Sequence, residues 1–167
     1  MTLPPPDKGV LGGFPEKSIV ILVNSHKYLS QTYIAYRNSP YQLDISKYSK
    51  WEASPGDMIR EALKNSLSST GVFKEVRISN TIPGGFYSLE INLKKFERFD
   101  EGSDSYAELL YDVKLFSPDI VDLYHAAISK KVKLDDKSFL SLAKGLSSAM
   151  SDGIKEVTDS IVLCVKK

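Results

Sequence analysis

The sequence predicts an α+β fold, in which a mainly antiparallel sheet forms one layer and two amphipathic helices pack on one face of it. Two observations predict this class. Residues 87–133 hold successive stretches in which apolar and polar residues alternate, as they do in half-buried strands. Residues 55–70 and 136–163 instead repeat apolar residues at the spacing of a helix. The length of 167 residues suits one domain with its own core.

Residues 1–16 are predicted to form a flexible tether, followed by a single α+β domain over residues 17–167. Four prolines and three glycines between Thr2 and Glu16 favour an extended, poorly ordered segment. An ordinary frayed terminus would have the same composition, so both interpretations of this segment stay open.

Residues 18–50 are expected to form the first strands. The continuous apolar run over residues 19–23 is rich in β-branched side chains and is typical of a buried central strand. Residues 32–36 and 42–45 flank the turn residues Asn38, Ser39 and Pro40, a pattern that predicts a short hairpin.

The first helix has clear start and stop signals. Ser54 is predicted to be its N-cap, and Pro55 stands at the first helical position, where proline is tolerated. Gly71 is predicted to end the helix as its C-cap. The apolar stripe that would face the sheet consists of Met58, Ile59, Ala62, Leu63 and Leu67. A short strand over residues 72–78 is expected to follow.

Three long strands are predicted over residues 87–94, 107–115 and 120–133. Each is separated from the next by a short stretch of turn residues, such as Ser117-Pro118-Asp119. Consecutive strands that are joined by short turns form an antiparallel meander.

The second helix is predicted to start near Asp135 or Asp136, either of which could cap it, and to run to about Leu163. Small residues follow its flank at four-residue steps: Gly145, Ala149 and Gly153. Two glycines inside a helix cost about 1–2 kcal/mol relative to alanine. We expect close approach of another backbone to offset this cost. That backbone would be the sheet, which is favoured because small residues are common at packed flanks, or a neighbouring subunit.

The sequence predicts no catalytic residue set, no metal site and no cofactor. The net charge of +1 and the short basic clusters argue against nucleic acid as a partner. His26 and His125 are predicted to be structural or surface residues, because no local spacing pairs either with a carboxylate as an acid–base site. No two His or Cys residues stand at metal-ligand spacing. A small hydrolase built around His125 with Asp112 or Asp122 remains an alternative.

Cys164 is the single cysteine, and it lies in an apolar run that predicts a small buried hydrophobe rather than a reactive thiol. No apolar stretch reaches the length that a bilayer-spanning helix needs.

Aromatic residues are the remaining functional signal. Tyrosine and tryptophan favour surfaces that are partly apolar and partly wet, such as protein interfaces. The predicted partner-binding surface therefore consists of Tyr28, Tyr33, Tyr36, Tyr41 and Trp51. The alternative is that Trp51 caps the sheet edge and fills the space at the start of the first helix, since large aromatic residues are highly buried on average.

The order of these residues resembles a known family. Tyr36-Arg37, Tyr48, Trp51 and Pro55 lead into the apolar positions of the first helix. The second helix carries the pattern Phe139, Leu142-Ala143, Leu146 and Ala149. Together they resemble the ABC-type transport auxiliary lipoproteins (the PqiC-like lipoproteins) over about residues 19–161.

The resemblance implies a non-enzymatic subunit that faces the periplasm and accompanies an ABC-type or MCE-domain system for lipids or hydrophobic compounds. It implies ABC-transporter or MCE-domain subunits as partners, and it allows lipid or further copies of the chain as additional ones. A shuttle that holds a lipid between helices and sheet is a second function of the binding class. The family members are anchored to the outer or inner membrane through a lipid on an N-terminal cysteine. Residues 1–16 contain no cysteine, so membrane attachment is expected only through an anchor that this chain does not carry.

Overall fold

The computed structural model describes residues 16–166 and confirms the α+β class. In chain order the elements are β1 (Lys17–Ser25), a 3-10 turn (Lys27–Ser30), β2 (Tyr33–Ser39), β3 (Gln42–Lys50), α1 (Pro55–Ser69), β4 (Phe73–Ile78), β5 (Tyr87–Glu101), β6 (Asp104–Phe116), β7 (Asp122–Lys133) and α2 (Phe139–Val165). The predicted tether, residues 1–16, lies outside the described residues except for Glu16.

The seven strands form one sheet around β5. On one side of β5, β6 and β7 complete the predicted antiparallel meander. On its other side, β1 runs parallel to the first half of β5 and β2 runs parallel to the second half. β4 adds to β1 in parallel, and β3 adds to β2 in antiparallel orientation. The sheet is therefore mixed, and its parallel pairings are an addition to the mainly antiparallel prediction.

β1 is the buried central strand that its apolar run predicts. Ile19, Val20 and Ile21 are all fully buried, although neighbouring side chains in a strand point to opposite faces. The connection from β4 to β5 must cross β1, because β1 lies between them. Arg77 is the register partner of Val20, and its guanidinium lies 4.9 Å from the ring centroid of Phe86. This connection thus covers β1 on the face opposite the helices.

The predicted start of α1 is confirmed. Ser54 is the N-cap, and its hydroxyl oxygen accepts a 3.3 Å hydrogen bond from the Asp57 N–H. Pro55 stands in the first turn. At the other end the C-cap is Thr70, and Gly71 follows one residue later with φ +70°. Gly71 still stops the helix, since glycine adopts this left-handed conformation without a Cβ clash.

Two predicted starts are wrong. α2 begins at Phe139, and its N-cap is Ser138, whose Oγ accepts a 3.1 Å hydrogen bond from the Ser141 N–H, rather than Asp135 or Asp136. β7 begins at Asp122 rather than Ile120, because the Ile120 N–H closes a turn onto the Ser117 carbonyl at 2.8 Å.

Both helices pack on the same face of the sheet, and the core lies between the two layers. One contiguous cluster joins apolar side chains of both helices to those of β1, β5, β6 and β7. The fully buried helical side chains are Ile59, Leu63, Leu67, Leu142, Val157 and Ile161. Burial of these side chains is the main stabilising contribution to the fold.

Candidate functional site

The hairpin of β2 and β3 stands at one edge of the sheet. Among the described residues β3 pairs with β2 alone, so the outer side of β3 has no neighbouring strand. The pairing is irregular between Tyr33 and Ala35 and again between Arg37 and Ser39. An open strand edge presents backbone donors and acceptors that a partner strand can use.

Tyrosines project from this hairpin into solvent. Tyr41 at the turn is 95% exposed and Tyr48 on β3 is 91% exposed. Tyr33 and Ile45 are also exposed, to a smaller extent. Large exposed aromatic side chains beside an open edge are typical of a docking surface. We call these four residues the hairpin surface.

The other predicted aromatic residues are half-buried and pack against the rest of the fold. The ring centroids of Tyr36 and Phe139 lie 6.2 Å apart, and those of Trp51 and Phe96 lie 5.6 Å apart, edge to face. The backbone N–H of Trp51 also donates a 2.7 Å hydrogen bond to the Thr32 carbonyl. These contacts fit the alternative interpretation of Trp51, as a residue that closes the sheet edge before α1.

Tyr28 is bound to a buried carboxylate. Its hydroxyl donates to Glu97 at 2.8 Å and also lies 3.1 Å from the Lys94 carbonyl oxygen. Burial, and next the Glu97 charge, raise the pKa of Tyr28, so its hydroxyl stays a donor. The structure therefore divides the predicted aromatic set into exposed members, Tyr33 and Tyr41, and packed members, Tyr28, Tyr36 and Trp51.

Glu97 fixes the hairpin to the centre of the sheet. Its side chain is fully buried, and it accepts a second hydrogen bond from Nε of Arg37 on β2. The arrangement resists displacement, because losing Arg37 would leave the buried carboxylate without a cation and losing Tyr28 would leave one carboxylate oxygen without this donor. Glu97 is not among the residues predicted from the sequence. A bulge between Leu93 and Lys95 interrupts the strand alternation, and this break was the available signal.

A second polar cluster joins β5 to the start of α2. Arg98 donates to the Lys137 carbonyl at 2.7 Å and to Asp100 Oδ2 at 3.1 Å. Its Nε lies 3.0 Å from Asp100 Oδ1, an ion-pair distance without hydrogen-bond alignment. The Ser105 hydroxyl donates to the same oxygen at 2.6 Å. The guanidinium lies 5.0 Å from the centroid of the Tyr36 ring, so this cluster holds the packed tyrosine in place.

The small residues of α2 lie against the sheet, the favoured one of the two surfaces considered above. A Cβ added at Gly145 would stand 2.6 Å from Leu134 Cδ2 and 3.0 Å from the Ala107 Cβ. A Cβ added at Gly153 would stand 2.8 Å from Tyr111 Oη and 3.1 Å from Ile128 Cγ2. Ala149, between them, is also buried.

The residues of the hydrolase alternative form no hydrogen-bonded acid–base pair within the described part of the chain. His125 is exposed on β7, opposite Lys114, whereas Asp112 pairs with Lys94 at 2.8 Å. Within residues 16–166 no side-chain hydrogen bond joins His125 to Asp112 or Asp122. The same residues contain no group of His, Cys, Asp or Glu that could hold a metal ion.

The Cys164 thiol is half-buried and donates to the Leu123 carbonyl at 3.6 Å. None of the helices described is long and apolar enough to cross a bilayer.

The family model of the ABC-type transport auxiliary lipoprotein component matches residues 3–162 of the chain. The chain belongs to this family. The match covers both predicted signatures, the hairpin with Trp51 and the pattern from Phe139 to Ala149 in α2, so the resemblance drawn from the sequence is confirmed. No curated protein sequence matches the chain significantly.

Solved structures of low sequence identity share the fold. A DUF330 protein from Xanthomonas campestris is similar with a TM-score of 0.79 and 15% identity, over 93% of this chain and 90% of the other. A hypothetical protein from Chlamydia trachomatis has a TM-score of 0.52 and 12% identity, over 87% and 98%. PelC from Paraburkholderia phytofirmans, a dodecamer, has a TM-score of 0.51 and 16% identity, over 87% and 86%.

Proposed function

We propose that this auxiliary lipoprotein is a non-enzymatic, periplasm-facing subunit that docks on an ABC-transporter or MCE-domain partner. The system it serves would move lipids or hydrophobic compounds across the cell envelope. A lipid anchor on the N-terminal side of the domain would hold it at the outer or inner membrane. The observation that supports docking most strongly is the exposure of Tyr41 and Tyr48 beside an open strand edge.

The hairpin surface suits docking for two physical reasons. The free side of β3 can extend the sheet into a partner strand through backbone hydrogen bonds. Tyr41 and Tyr48 add large contact areas with little loss of side-chain freedom, since a tyrosine has only two rotatable side-chain bonds. The Arg37–Glu97 pair fixes the hairpin to β5 before a partner arrives, which reduces the ordering cost of binding.

A pull-down from envelope membranes tests this proposal. The natively processed protein would be crosslinked, captured and compared with the double variant Tyr41→Ala/Tyr48→Ala. We expect the double variant to lose most of its transporter or MCE-domain partner, because aromatic anchors carry much of an interface's binding free energy.

The matched control is Leu140→Ala, which removes an exposed apolar side chain at the start of α2, outside the hairpin surface. It should capture the partner as well as the unmodified protein does. Undiminished capture by the folded double variant would contradict docking through the hairpin surface.

The lipid-shuttle alternative has less support. The cleft between α1 and α2 has a volume of about 410 Å³, but it opens to solvent. Its lining mixes apolar side chains with hydroxyl and charged groups: Met150, Ile154, Ser66, Thr158, Lys155 and Asp159. The Ser66 and Thr158 hydroxyls hydrogen-bond each other across it at 2.8 Å. A lipid chain would require a more apolar enclosure.

Self-association is a further use of the same edge. PelC from Paraburkholderia phytofirmans forms a dodecamer with a related fold, and an open edge can pair with a second copy as well as with a partner. Analytical ultracentrifugation of the purified protein and of Tyr41→Ala/Tyr48→Ala would separate the two uses. A homo-oligomer that dissociates in the variant would assign the hairpin to self-association.

A further inference from the structure

One end of the domain gathers most of the exposed aliphatic side chains of the described residues. β1, β4 and β5 begin at this end, because they are parallel and in register. β6 ends and β7 begins there, and the contact of Cys164 with Leu123 places the end of α2 beside them. The exposed aliphatic side chains at this apolar end are Ile82, Ile120, Val121, Leu123 and Leu163. The chain therefore enters the domain at its most apolar end.

The turn between β6 and β7 presents its apolar residues rigidly. The Ser117 N–H donates to the Val121 carbonyl at 2.9 Å, and the Val121 N–H donates to Ser117 Oγ at 3.0 Å. Ile120 and Val121, at the tip, are 81% and 56% exposed. Exposing adjacent apolar side chains to water is unfavourable, so we interpret them as part of a binding surface.

Ile120 is also held in an unfavourable backbone conformation. Its φ is +63°, and it is the sole non-glycine residue with positive φ within residues 16–166. A β-branched side chain rarely adopts this region, whereas glycine adopts it freely. Folding alone would therefore favour glycine here. The presence of isoleucine at this position is explained if its side chain binds a partner at the surface. Strained residues often mark functional positions.

The charges around the apolar end indicate what kind of surface it meets. Lys17 and Lys166 lie beside it, and so do Asp119 and Asp122, which flank the two tip residues. A strongly anionic surface would attract a cluster of basic residues, and the acidic pair would oppose it. The mixed border suits a zwitterionic surface whose attraction comes from burial of apolar area.

We propose that the apolar end lies directly on the zwitterionic surface of a lipid bilayer, with Ile120 and Val121 entering the region between headgroups and acyl chains. This inference rests on the proposed lipid anchoring, since the anchor would reach the domain through the start of β1. Ile82 and Ile120 line one cleft of about 260 Å³ between their two loops, so the contact extends beyond the tip. The contact would orient the domain and direct the hairpin surface away from the membrane.

Fluorescence on tethered vesicles tests the proposal. The full chain with an N-terminal His tag would be bound to phosphatidylcholine vesicles that contain a nickel-chelating lipid. An environment-sensitive label at Asp119→Cys, in a Cys164→Ser background, reports on the tip. The matched control carries the label at Tyr48→Cys on the exposed hairpin. We expect a blue shift and quenching by brominated lipid for the label at residue 119, and neither for the label at residue 48.

Ile120→Gly separates contact from folding. Glycine suits a positive φ, so the variant should keep or raise its melting temperature. It should nevertheless lose most of the blue shift and quenching, because the deepest apolar side chain is gone.

Three outcomes would overturn the proposal: an unquenched label at residue 119, quenching that persists in Ile120→Gly, or a blue shift that grows with protein concentration without vesicles. The last outcome would assign the apolar end to a second copy of the chain. The vesicles hold no transporter and the tag replaces the natural anchor, so the result is independent of hairpin docking. Failure of the pull-down would in turn leave this experiment unaffected.

Discussion

The meander covered by α2 and the β2–β3 hairpin are built in opposite ways within one sheet. Under α2, glycines bring the helix against Leu134 and Tyr111, and the interface excludes water. In the hairpin, Tyr41 and Tyr48 project into solvent, and the buried Arg37–Glu97 pair fixes β2 to β5. The first region is stabilised by close packing. The second exposes tyrosine side chains on a hairpin that an ion pair holds to β5. Substitutions should therefore separate stability from docking.

Breaking the Arg37–Glu97 pair, which holds the hairpin to β5, should reduce stability more than any other change. Arg37→Met keeps most of the side chain's length but leaves the Glu97 carboxylate buried without its cationic partner. We expect the free energy of unfolding to fall by about 3 kcal/mol, the range found when one partner of a buried pair is removed. Urea denaturation of the purified protein measures this loss.

Arg77→Met is the matched control. Arg77 pairs with Glu75 on the surface, where both side chains are more than 40% exposed, and methionine keeps the length that covers Phe86. Exposed pairs contribute about 0–1 kcal/mol, so this variant should unfold almost like the unmodified protein. Equal losses from both variants would contradict the special role of the buried pair.

The close-packed region should show the next largest effect. Gly153→Ala places a Cβ 2.8 Å from Tyr111 Oη and 3.1 Å from Ile128 Cγ2, so neighbouring groups must move. Overpacking costs about 1–3 kcal/mol, and the better helix propensity of alanine offsets about 1 kcal/mol of it. We expect a net loss of about 1 kcal/mol. Ser148→Ala, at an exposed position of the same helix, should change stability by only a few tenths.

Tyr111→Phe sharpens this prediction. The Tyr111 hydroxyl is buried and has no hydrogen-bond partner among residues 16–166. Removing it relieves an unpaired polar group and makes room for the new Cβ. In a double-mutant cycle, Gly153→Ala should therefore be less destabilising in the Tyr111→Phe background. Strict additivity of the two free-energy changes would show that the hydroxyl is not what limits the approach of α2.

The features that were predicted correctly from the sequence are those that depend on residues close together along the chain. The cap at Ser54, the stripe of α1 and the meander follow from neighbouring residues, and the structure has them. The parallel pairing of β1 with β4 and β5 joins distant segments, and strand periodicity does not encode partners. The burial of Glu97 depends on a bulge that reverses the alternation of β5. Local sequence did not distinguish Ser138 from Asp136 as the cap of α2, because serine and aspartate cap helices equally well.

The candidate site shows the same limit. Composition indicated an aromatic surface near the hairpin, but Tyr36 and Tyr41 look alike in the sequence. Tyr36 packs because Phe139 and Arg98, which are far away along the chain, meet its ring. Tyr41 has no such neighbours among the described residues and stays exposed. Which tyrosines are free to bind is decided by tertiary contacts, so it could not be predicted from spacing.

The smallest effect on stability is expected at the start of α2, which joins the two regions because Phe139 packs on Tyr36 of the hairpin. The Ser138 N–H and the Ser141 hydroxyl donate to Asp136 Oδ1 at 2.9 and 2.7 Å. Hydrogen bonds from Ser138 and Ser141 lower the pKa of Asp136 to about 2, below the ordinary value of about 3.9. The ionised carboxylate is thus favoured by folding. Its contribution is complete above about pH 4 and is lost as the pH falls through about 2.

Asp136→Ala should accordingly melt at a lower temperature than the unmodified protein at pH 6, and the gap should close between about pH 4 and pH 2. Circular dichroism melts across this range measure the gap. Asp135→Ala is the control, because the Asp135 side chain makes no hydrogen bond within residues 16–166. A gap that stayed constant down to pH 2 would mean that the Asp136 charge does not hold the helix start. The Asp136 hydrogen bonds to Ser138 and Ser141 would then be incidental, and Ser138 alone would cap α2.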